Sequence, residues 1–74
     1  MLRNLDENQT YKGYTIEPAP GQLYDSTWDS TFIIFNNGNP INEEYYCLPE
    51  VHTTRDEAVR FCLARGREII DAKN

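Results

Sequence analysis

The chain has 74 residues, 39 % of them hydrophobic and 12 % aromatic. That is the size of one small domain, and too apolar for a disordered segment. No apolar run is long enough to span a bilayer. The formal net charge of −5 excludes the chain-wide basic footprint with which a protein binds nucleic acid by releasing counterions.

In chain order, MLRNLDENQ (1–9) shows no hydrophobic period and reads as a flexible N-terminus. Its polar, acidic character is unlike an export signal, so a soluble, cytoplasmic protein is expected, with no membrane contact. YKGYTIE (11–17) puts Tyr14 and Ile16 on one parity and Thr15 and Glu17 on the other, the pattern of a first strand. Pro18 and Pro20 are expected to end it, since proline cannot donate to a ladder. GQLYDS follows as a loop. TWDSTFIIFN (27–36) is the second strand. NNGNP (36–40) is the strongest turn signal, because Asn-Gly suits the positive φ values of a tight hairpin. INEEYYCL (41–48) is then a third strand, antiparallel to the second.

PEVHTT leads into a helix over about 55–72. Thr54 is placed to cap it, with Glu57 three residues on as a capping-box partner. At 100° per residue, Ala58, Val59, Cys62, Leu63, Gly66, Ile69 and Ile70 gather on one side. Asp56–Arg60 and Arg67–Asp71 have i,i+4 spacing on the other. Gly66 costs about 1 kcal/mol of helix propensity relative to alanine, so a close approach to the sheet is expected there. Phe61 falls opposite the apolar stripe. These elements predict an α+β fold, a three-stranded antiparallel sheet with one C-terminal helix on one face (β-β-β-α), forming a single domain over 10–74.

A single helix covers a single face of the sheet. Yet strand two carries Phe32 and Ile34 on one parity and Ile33 and Phe35 on the other. Strand three opposes Tyr45 and Cys47 to Tyr46 and Leu48. Whichever parity meets the helix, a cluster of large side chains is left on the other, and a contiguous apolar patch marks an interface. The alternative is that loop 18–26 folds over that patch. Ile33, Phe35 and Tyr45 are the candidate interface residues.

The chemistry-bearing residues point to little else. Cys47, His52 and Cys62 lack a fourth ligand, and the Cys-x4-His spacing is not a zinc pattern. Both cysteines are expected as free thiols. Glu43 and Glu44 face opposite sides of a strand and cannot act as a carboxylate pair. The four glycines are scattered, so there is no phosphate loop. No residue is singled out as catalytic, metal-ligating or cofactor-binding; no cofactor and no enzymatic activity are expected. Residues 1–54 hold eight acids against Arg3 and Lys12, while 55–74 hold five bases against four acids. Strands two and three contain no base, which makes DNA reading by the sheet unlike this chain; Asp56, Glu57, Glu68 and Asp71 are placed to answer the helix arginines.

Two blocks, YKGYTIEPAP (11–20) and TTRDEAVRFCLARGREIID (53–71), resemble small proteobacterial proteins of unknown function. Their shared pattern is Y-K/R-G-Y/F-x-I-x-P-x-P followed by a capped S/T-R-x-E-A helix ending near G-R/K-x-I-I-D. More loosely the blocks are similar to the HlyU-type family, nominally transcriptional activators. The resemblance implies a βββα domain and carries no catalytic residue onto this sequence. Two functions are therefore open. One is a non-enzymatic protein-interaction module, with a second copy as the simplest partner. The other is a DNA-associated transcriptional regulator.

Overall fold

The computed structural model describes residues 7–38 and 42–73. Four antiparallel strands, β1 (Gln9–Tyr11), β2 (Tyr14–Pro18), β3 (Trp28–Asn36) and β4 (Asn42–His52), form one sheet in the order β1-β2-β3-β4. The helix α1 (Arg55–Lys73) packs on one face, mainly over β2 and β3. The architecture is α+β as expected, with four strands among the described residues rather than three.

The extra strand comes from the segment expected to be one continuous strand over 11–17. Lys12 and Gly13 both have positive φ, 50° and 83°, and close a two-residue hairpin in which Tyr11 pairs with Tyr14. Positive φ at both central positions makes the type I′ connection whose twist suits a hairpin. Lysine hides that turn, because it is not among the residues that favour φ > 0. Gln9 belongs to β1, and Glu7 forms a two-pronged ion pair with Arg55 at 2.6 and 2.9 Å. Residues 1–6 of the expected flexible end lie outside the described residues.

The prolines do not end the second arm. Ala19 N donates to Thr31 O and Asp29 N to Gly21 O, each at 2.9 Å, so pairing with β3 runs on past Pro18 and Pro20 in unbroken register. In an antiparallel pair, alternate residues direct their N–H and C=O toward the partner. Ala19 and Gly21 do so. Pro18 and Pro20 sit at the intervening positions, where the missing N–H would point away from β3. The arm closes at Leu23–Thr27, where Ser26 N donates to Leu23 O and Leu23 N to Thr27 O, with Ser26 at φ 69°. Loop 18–26 thus extends the β2–β3 hairpin instead of folding over the sheet.

β3 and β4 pair as far as Asn36 opposite Asn42, which leaves five residues, 37–41, between them where a tight Asn-Gly hairpin has two; positions 39–41 lie outside the described residues. β4 runs four residues further than expected, through an irregularity where Pro49–Val51 oppose Asp29 alone. The helix starts as its sequence signals. Thr54 Oγ1 accepts from Glu57 N at 3.2 Å, but the Glu57 carboxylate takes the Thr53 hydroxyl at 2.7 Å instead of returning to the capping residue. Ala58, Val59, Cys62, Gly66 and Ile70 are buried along its inner face. They meet Ile16, Phe32 and Ile34, which are essentially without exposure. A Cβ on Gly66 would lie 2.9 Å from both Cδ1 and Cγ2 of Ile16. The glycine is what allows the helix to seat on β2.

Of the expected i,i+4 partners, Arg67 and Asp71 make tertiary contacts. Arg67 donates to Gln9, while Asp71 accepts from Lys12 at 2.7 Å and from Tyr11 at 3.0 Å. Arg65 pairs with Glu68 at 2.7 Å and Lys73 with Glu44 at 3.0 Å. Such exposed pairs contribute about 0–1 kcal/mol each, but those of Arg67, Asp71 and Lys73 together tie the C-terminal half of the helix to β1, its turn and β4.

Candidate interaction surface

Helix packing assigns the two parities. Phe32 and Ile34 of β3 and Tyr46 and Leu48 of β4 face the helix; Phe32 stacks on Tyr46 with ring centroids 5.2 Å apart. Residues paired across strands share a face. The helix-free side therefore carries Thr15 opposite Phe35, Glu17 opposite Ile33, and then Tyr45 opposite Ile33, Glu43 opposite Phe35 and Cys47 opposite Thr31. All three candidate interface residues lie on this one face.

Exposure across that face is graded. Glu17, on β2, is 6 % exposed and engaged within the chain. Ile33 and Phe35 are half-buried, Tyr45 is 70 % exposed, and Cys47 is exposed. The accessible part of the surface is thus its β4 side. Tyr45 is held there by its hydroxyl, which donates to Glu43 at 2.8 Å. The Thr31 hydroxyl approaches Cys47 Sγ at 3.4 Å. No basic residue of the described chain sits on this face.

The two cysteines lie on opposite sides of the sheet. Cys62 points into the core, its Sγ 3.5 Å from Thr31 O, and burial, with a smaller contribution from Asp29, pushes its pKa up to about 12. Such a thiol is inert at neutral pH. Both thiols are free. Among the described residues, no three His, Cys, Asp or Glu side chains are grouped as metal ligands.

His52 and Phe61 find their place in a cluster that sequence reasoning missed. Their rings pack 4.7 Å apart, so Phe61 covers the end of β4 instead of standing exposed. His52 Nε2 lies 3.1 Å from Oγ of the fully buried Ser30, and that hydroxyl donates to Glu50 O at 2.6 Å. A hydroxyl has one proton. With it directed to Glu50, Nε2 must be the donor to Ser30, the reverse of a base activating a nucleophile. The cluster fastens the irregular 49–51 segment to β3. The only signal in the sequence was a lone serine among the inward-facing apolar positions of the strand.

Two hollows among the described residues lie elsewhere. One of about 70 Å³ is lined by Tyr14, Ile34, Asn36, Asn42, Glu44 and Lys73, room for a few waters. The other lies open at the hairpin tip beside Gln22, Leu23 and Tyr24. Among the described residues, no helix is long and apolar enough to cross a membrane. No family model, curated protein or solved structure matches this chain.

Proposed function

We propose that this protein is a non-enzymatic interaction module that associates with a second copy of itself through the helix-free side of its sheet, with Ile33, Phe35 and Tyr45 in the contact. The observation that carries this reading is the placement of these three side chains on one face that α1 leaves uncovered, with exposure rising toward Tyr45. A sheet face self-pairs through a two-fold, so each cluster meets its own mate. Such a contact buries about 1,200 Å² in total, the lower end of stable interfaces. The net charge of −5 opposes association, and salt screens it beyond about 8 Å at physiological strength. The dimer therefore tightens as salt is raised. A DNA contact, the alternative for a HlyU-like protein, loosens with salt. A cytoplasmic location belongs to the same reading.

Sedimentation over a concentration series tests it. Wild type is expected to shift from monomer to dimer within the high-micromolar range. Ile33→Thr with Phe35→Thr should leave a folded monomer at every concentration. A wild type that stays monomeric there overturns the homodimeric reading.

A further inference from the structure

We draw no further inference here: the strongest candidate, the exposed surface patch of Leu23 and Tyr24 at the tip of the β2–β3 hairpin, carries nothing because nothing in the structure shows what covers it.

Discussion

Phe32 and Ile34 lie on the helix side of β3 with essentially no exposure, whereas Ile33 and Phe35, one step along the same strand, are half-buried on the other side. The two pairs have the same composition, one isoleucine and one phenylalanine each, in mirrored order. What separates them is a single helix with a glycine at its centre. Side-chain chemistry alone therefore does not identify the core of this domain; the element that comes to rest on the strand does. Beside these pairs the helix-free side carries Glu17 where the helix side has the buried Ile16, and the exposed Tyr45 where the helix side has the half-buried Tyr46.

The largest effect is expected from breaking the helix side. Phe32→Thr with Ile34→Thr removes two fully buried side chains, at about 2–5 kcal/mol each. The total rivals the whole stability of a domain of this size, about 4–11 kcal/mol, and the variant should show no cooperative thermal transition. Ile33→Thr with Phe35→Thr should retain one. Equal damage from the two pairs would erase the distinction between the faces.

Next in size is Gly66. Leucine there improves helix propensity yet drives into Ile16, and should cost about 1–3 kcal/mol in chemical denaturation. Even alanine places its Cβ 2.9 Å from a β-branched side chain with little room to turn. A stabilised Gly66→Leu would mean that the helix does not seat on β2.

The thiols sharpen the comparison without altering the fold. Alkylation of the native protein at neutral pH should add one label, at exposed Cys47, with Cys62 reacting only after unfolding. Mass spectrometry that finds two labels on the native chain would place Cys62 outside the core.

Smallest is the response to acid. Hydrogen bonds from Lys12 and then Tyr11 hold Asp71 below the usual carboxylate range. Those from Lys73 and then Tyr46 do the same for Glu44, and the Thr53 hydroxyl for Glu57. A carboxylate whose folded pKa is depressed contributes stability above its unfolded value, near pH 4, and loses it as pH falls through the folded one. The melting temperature should therefore decline modestly between about pH 5 and pH 3, and less so in Asp71→Asn. All three groups are solvent-exposed, so screening keeps the effect small.

The sequence by itself determined the helix, its start, its inner face and the glycine contact. Capping at Thr54 and the 3.6-residue spacing of Ala58 to Ile70 are local chemistry, and local chemistry can be read one residue at a time. It also determined that both sides of β3 would be apolar. Which side became core was decided only when the helix docked. The first hairpin stayed hidden because Lys12 at positive φ is imposed by the pairing of Tyr11 with Tyr14, not by its own preference. Pro18 and Pro20 looked like terminators because the direction in which a missing N–H points depends on register, a property of two strands and not of one. The same holds for Ser30 and His52, twenty-two residues apart in the chain, which become partners only because β4 folds back along β3.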